Sequence, residues 1–187
     1  MSSLTNTIEK PRLSVKTQTL ATVSAIIGAV VLPQLFHVMG AVSGLGTSLG
    51  ETFLPMHLPI ILVGLLAGTP SGAIAGLLAP LVSSLLTGMP TQFMLPFMMI
   101  ELCAYGAFAG LLKNAKMPNI AKIFTAQVAG RAIRAVAILV SVYALGNESI
   151  KISVIWESVV TGIFGLVLQW SLIPLLLYRI ENAKKHE

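Results

Sequence analysis

Three ionisable side chains sit where the chain is otherwise apolar: Glu101, Arg131 and Arg134. Residues 53–112 hold one charge, Glu101, and the two arginines lie in a second apolar run that begins near Ile120. A charge at the centre of a bilayer costs about 2.5–3.5 kcal/mol on insertion scales, so each needs a partner or a task. At about 1.5 Å rise per helical residue, Glu101 and Arg134 fall at nearly the same depth, which allows a buried ion pair. Such a pair can simply hold helices together. Two guanidiniums against one deep carboxylate, however, leave a positive charge over, and a guanidinium grips a carboxylate through two parallel donors. The expected chemistry is reversible capture of a small anion by Arg134 or Arg131; Arg131 can alternatively snorkel toward the cytoplasmic side. Gln92, Tyr105, Gln127, Glu157 and Gln169 lie at depths suited to added hydrogen bonds, and His57 and His37 lie near the outer rim. Trp156, which also suits an interface anchor, completes the candidate binding set.

Other chemistries find no residues. There is no GxSxG, HExxH or Walker sequence, and the chain contains no Asp. The single cysteine, Cys103, lies inside an apolar run, and no Cys/His cluster suggests a metal. Neither a cofactor nor an enzyme is expected; if transport here requires ATP, hydrolysis belongs to a separate chain. Gly44-Leu45-Gly46 and Gly50 follow no strand and lack the P-loop lysine, so they do not read as a phosphate cradle. Asn147-Glu148-Ser149 matches a glycosylation sequon, a pattern short enough to arise by chance.

The elements that must position these groups follow from composition. The 187 residues are 55% hydrophobic and 10% charged, with mean hydropathy +0.86, where a soluble domain carries about 25% charged residues. The chain reads as an all-α integral membrane protein. Its net charge of +5 comes from cations flanking apolar runs, and aromatics are only 6%, a membrane-orientation signature with no nucleic-acid partner. One membrane domain covers 1–187, with a polar tail at 1–16. Spans are expected at about 17–39, 54–67, 71–87, 93–112, 120–145 and 154–178. Gly68-Thr69-Pro70 and Gly88-Met89-Pro90-Thr91 mark tight turns, since glycine beside proline cannot continue a helix. Residues 40–52, GAVSGLGTSLGET, read as a flexible glycine-rich loop of the kind that lids a pocket. Gly64, Gly68, Gly72 and Gly76 are expected to let spans 2 and 3 pack tightly, and Met89, Met94, Met98 and Met99 mostly to face lipid or core, though methionine is soft enough to line a pocket. With six spans, Lys10, Arg12, Lys16, Lys113, Lys116, Lys122, Arg179, Lys184 and Lys185 share one side, against Lys151 on the other. Both termini are therefore expected in the cytoplasm. Ala21, Ala25 and Ala29 give span 1 a flat small-residue face, for packing within the chain or for a different membrane subunit.

The stretch LPMHLPIILVGLLAGTPSGAIAGLLAPLVSSLLTGMP, followed by IELCAYGAFAGLL, resembles the substrate-binding S components of energy-coupling factor (ECF) vitamin transporters. The resemblance extends over nearly the whole chain, including its size, its six spans and the Ala21-xxx-Ala25-xxx-Ala29 face. It implies a six-helix S-component-like bundle in a prokaryotic plasma membrane that binds a vitamin from outside. The pocket would be built from spans 4 to 6 and capped by the loop between spans 1 and 2. It also implies docking, through the alanine face, onto a membrane coupling (T) protein carrying two ABC-type ATPases. The sequence is most similar to the pantothenate-type S component, and a carboxylate ligand suits the spare arginine. Gln127, Gln169, Gln92 and Glu101 would meet the hydroxyls and amide of pantothenate. The alternatives are an S component for pyridoxine, hydroxymethylpyrimidine or another small vitamin, or a stand-alone secondary transporter.

Overall fold

The computed structural model describes residues 13–46 and 48–183; Lys10, Arg12, Lys184 and Lys185, counted above for orientation, lie outside them. The described residues are all-helical: α1 Val15–Ser43, α2 Ser48–Phe53, α3 His57–Ala67, α4 Thr69–Thr87, α5 Leu95–Leu111, α6 Asn119–Tyr143, α7 Ser153–Thr161 and α8 Ile163–Ala183. Five helical stretches are long and apolar enough to cross a membrane: Val15–Ser43, Ser48–Ala67, Thr69–Thr87, Asn119–Tyr143 and Ile163–Ile180. Leu95–Leu111 is a shorter apolar helix. Large apolar side chains such as Val23, Ile27, Val136 and Phe164 point outward, as they must when the solvent is lipid.

Local chemistry sets the boundaries. Ser14 caps α1, its hydroxyl accepting from the Thr17 N–H at 3.2 Å. Gly68, with φ 100, is the single residue between α3 and α4, a conformation that glycine adopts without steric cost. Gly88 ends α4 in the left-handed region, and its N–H bonds the Ser84 carbonyl at 2.9 Å.

Two expectations about the elements are corrected. The 40–52 stretch is not an open loop: α1 runs on to Ser43, and Ser48–Phe53 forms a helical turn against α1. Phe53 stacks on Phe36 with ring centroids 5.3 Å apart, so apolar burial offsets the intrinsic looseness of the glycines. The expected last span is divided at Gly162 into α7 and α8. A Cβ there would meet a Leu54 methyl at 2.7 Å and the Ser158 carbonyl at 3.0 Å.

The centre of the bundle is α5, packed against α3, α4 and α6. Gly72 and Gly106 abut so closely that a Cβ on either would overlap the other's backbone, and a Cβ on Gly76 would overlap the backbone of Leu102 and Cys103. On Gly64 it would lie 2.9 Å from the Ala109 methyl. These glycines therefore seat α5 against α3 and α4, rather than α3 against α4 as expected. Small residues let backbones approach, and dispersion contacts then hold helices that lipid would otherwise solvate equally well. The alanine face of α1 is filled from within as well. Ala29 is fully buried and Ala25 nearly so, both in the core cluster, with Ala21 half-buried against it; the partners are α3 and α4.

Candidate functional site

The arginines owe their placement to helical period. Gln127, Arg131 and Arg134 fall at i, i+4 and i+7 on α6, one face of the helix, which turns toward α5, α7 and α8. There Arg134 Nη1 donates to Glu101 Oε2 at 2.9 Å. The other carboxylate oxygen, Oε1, accepts from the Tyr105 hydroxyl at 2.8 Å. Glu101 is 1% exposed and Arg134 13%. Tyr105 reaches this position because Gly130 of α6 has no side chain; a Cβ there would overlap its ring. The His57 ring lies 5.2 Å from the Tyr105 ring.

Arg131 takes a different partner. Its Nη1 donates to the Ser158 carbonyl at 3.1 Å and to the Ser158 hydroxyl at 3.4 Å, both on α7. Neither is a carboxylate, so among the described residues its charge is not neutralised by an ion pair. The snorkelling alternative is not what the structure adopts.

These groups floor a cavity of about 590 Å³, within the range of about 300–1,000 Å³ usual for small-molecule sites. α1 contributes Pro33, Gln34 and His37, and the α2–α3 segment contributes Gly50, Glu51, Leu54, Pro55, Met56 and His57. Ser83, Met89, Pro90, Thr91, Met94 and Met98 form the wall from α4 to α5, and Val154, Glu157, Ser158 and Thr161 the α7 wall. Glu51 and Glu157 are exposed, whereas Glu101 and His57 are buried. The carboxylates free of arginine thus lie where solvent reaches, and the guanidiniums lie on the sheltered floor.

Burial leaves several polar atoms without a hydrogen-bond partner among the described residues: Gln34 Nε2, His37 Nδ1, His57 Nδ1, Arg131 Nε and Arg134 Nε. Every one belongs to a residue lining this cavity. These atoms are themselves shielded, in the walls of the hollow and not on its open surface. Gln34, Arg131 and Arg134 line the cavity with donor-rich side chains, so it favours an acceptor-rich guest. Among the described residues no three His, Cys, Asp or Glu side chains converge as a metal site.

A family model matches nearly the whole of the chain. The model described as ECF transporter, substrate-specific component, matches residues 15–184. The chain belongs to that family. An S component of this kind is the substrate-binding subunit of a transporter and not an enzyme, and the apolar helices make this one a multi-pass membrane protein. No curated protein and no solved structure gives a significant match.

Of the residues singled out from the sequence of this S component, Glu101, Arg131, Arg134 and His57 line the cavity. His37 and Glu157, noted as supporting polar groups, do too. Tyr105 stands behind Glu101, fully buried, and is not part of the lining. Gln127 and Gln169 also miss it: Gln127 Nε2 donates to Gln169 Oε1 at 2.9 Å, and both amides are buried in the bundle. Gln92 is exposed beside the turn that follows α4, and Trp156 is 70% exposed on the outer face of α7. Neither lines the cavity. Sequence reasoning missed Gln34, Glu51 and Ser158 as lining. It also missed Met89, Met94 and Met98, whose flexible thioethers suit an irregular wall. The signal available for Gln34 was its i, i+3 spacing to His37 on an otherwise apolar helix.

Proposed function

We propose that the chain is the vitamin-binding S component of an ECF-type ABC importer in a prokaryotic plasma membrane. In this reading six helices cross the bilayer and both termini are cytoplasmic. The ligand is a small carboxylate vitamin, pantothenate first. The cavity would load from outside, and a T protein with two ATPases would drive release inward.

The observation that carries the reading is a guanidinium without a carboxylate, Arg131, on the floor of a cavity also lined by Arg134, His57 and Gln34. A ligand carboxylate placed there gains charge-assisted hydrogen bonds in a site poor in water. The orientation is supported by Lys113 and Lys116 between α5 and α6, opposite Lys151 between α6 and α7. By the same count the cavity belongs to the outer half, since its lining includes the α4–α5 turn at Met89, Pro90 and Thr91, on the Lys151 side. Glu51 and Glu157 at the rim favour a second ligand class, a neutral ring vitamin such as pyridoxine or hydroxymethylpyrimidine, whose hydroxyl or amino hydrogens they could accept.

Proteoliposomes test the assignment. Alone, the protein should retain labelled pantothenate at its surface without accumulating it; with T protein, ATPases and ATP, it should accumulate it. Steady uptake by the protein alone would overturn the subunit reading in favour of a stand-alone secondary transporter.

A further inference from the structure

The buried amides of Gln127 and Gln169 face away from the cavity yet end on it. Trp170 Nε1 donates to Gln127 Oε1 at 2.7 Å, Gln127 donates to Gln169, and Gln169 Nε2 donates to the Leu54 carbonyl at 3.2 Å. Leu54 lies at the elbow between α2 and α3 and lines the cavity with Pro55, Met56 and His57. It holds a left-handed backbone, φ 48, a conformation that costs a branched residue free energy and persists only where neighbours enforce it. The enforcing surface is one face of α8. Gly165 lets the end of α2 lie directly on that helix, since a Cβ would come 2.6 Å from the Phe53 carbonyl carbon and 2.8 Å from the Thr52 oxygen. Gln169, one turn on, bonds the next carbonyl.

We infer that Gln169 is a positioning residue for ligand capture: through Leu54 it fixes the elbow that carries His57 and α2 against the cavity. The inference rests on that cavity being the ligand site. Gln127, one turn before Arg131 on α6, ties the same amide to the helix that carries the guanidiniums. The ligand would therefore meet two walls held in register by one buried chain of hydrogen bonds.

A double variant, Gln127→Leu with Gln169→Leu, tests this. Removing both amides together leaves neither amide unsatisfied, and the half-buried Trp170 Nε1 loses its acceptor, so global stability should fall less than in either single variant. The Leu54 carbonyl keeps its local bond from the His57 N–H at 3.1 Å but loses its tie to α8. Hydrogen–deuterium exchange of the full-length protein in detergent, read by mass spectrometry, should be about tenfold faster in peptides spanning 48–57 and unchanged in α4 and α5. Gly165→Ala should loosen the same peptides by an independent route. Unchanged exchange at 48–57, or an equal rise throughout the bundle, would overturn the inference. Pantothenate titration of the same samples separates the two claims. Weaker binding by the variant supports positioning. Absence of binding by the unmodified protein counts against the ligand reading, while the exchange pattern still decides the role of Gln169.

Discussion

Replacing Arg134 by Met asks what the buried charge pair is worth. Glu101 is 1% exposed and holds two partners, Arg134 at 2.9 Å and the Tyr105 hydroxyl at 2.8 Å. Removing the guanidinium leaves a buried carboxylate on one neutral donor. One-sided loss of a buried pair costs about 3–5 kcal/mol, whereas apolar replacement of both partners is often neutral. Because Arg134 retains 13% exposure, the lower end applies, about 3 kcal/mol. At about 2–4 °C per kcal/mol for a chain of this size, Arg134→Met should melt about 6–12 °C lower. Glu101→Leu with Arg134→Met should return most of that loss. The single cysteine, Cys103, supports the assay: a fluorogenic thiol dye follows thermal unfolding in detergent. The pair makes Arg134 structural as well as cavity-lining. A single variant that melts like the unmodified protein, or a double variant with the two single losses simply summed, would refute the coupling.

Three further outcomes are expected. Ala25→Trp should overpack α1 against α3 and α4 and lower the melting point, at a cost of about 1–3 kcal/mol. Val23→Trp, on a face 48% exposed, should melt unchanged in the same assay. Gly106→Ala should destabilise at least as much as Ala25→Trp, because its Cβ meets the backbone of Gly72 rather than a movable side chain. In a Cys103→Ser background, Lys151→Cys should react with a membrane-impermeant maleimide added to intact cells and Lys116→Cys should not. The reverse pattern would invert the proposed orientation.

The sequence made some of this legible for physical reasons. The Glu101–Arg134 pair could be anticipated because charges in lipid must be matched in depth, and depth follows from residue count. The turns at Gly68 and Gly88 were legible because glycine and proline act locally. What failed depended on partners remote in sequence. Gln127 and Gln169 read as ligand groups because a lone buried amide always asks for a partner, and nothing in the sequence shows that two residues 42 positions apart meet each other. The alanines of α1 announce close approach but not by what. Gly162 shows no local sign of a helix break, which arises from the crowding of Leu54 and Arg131 around it. The methionines carry no pattern that distinguishes a cavity wall from lipid.

Isothermal titration of the purified, detergent-solubilised protein tests the central claim most directly, with pantothenate, its neutral alcohol analogue, pyridoxine and hydroxymethylpyrimidine. The account expects tight pantothenate binding, weakened about 10–100-fold both by loss of the ligand carboxylate and by Arg131→Gln, the worth of a charge-assisted hydrogen bond. Tight binding of a neutral vitamin that Arg131→Gln leaves unchanged would contradict it.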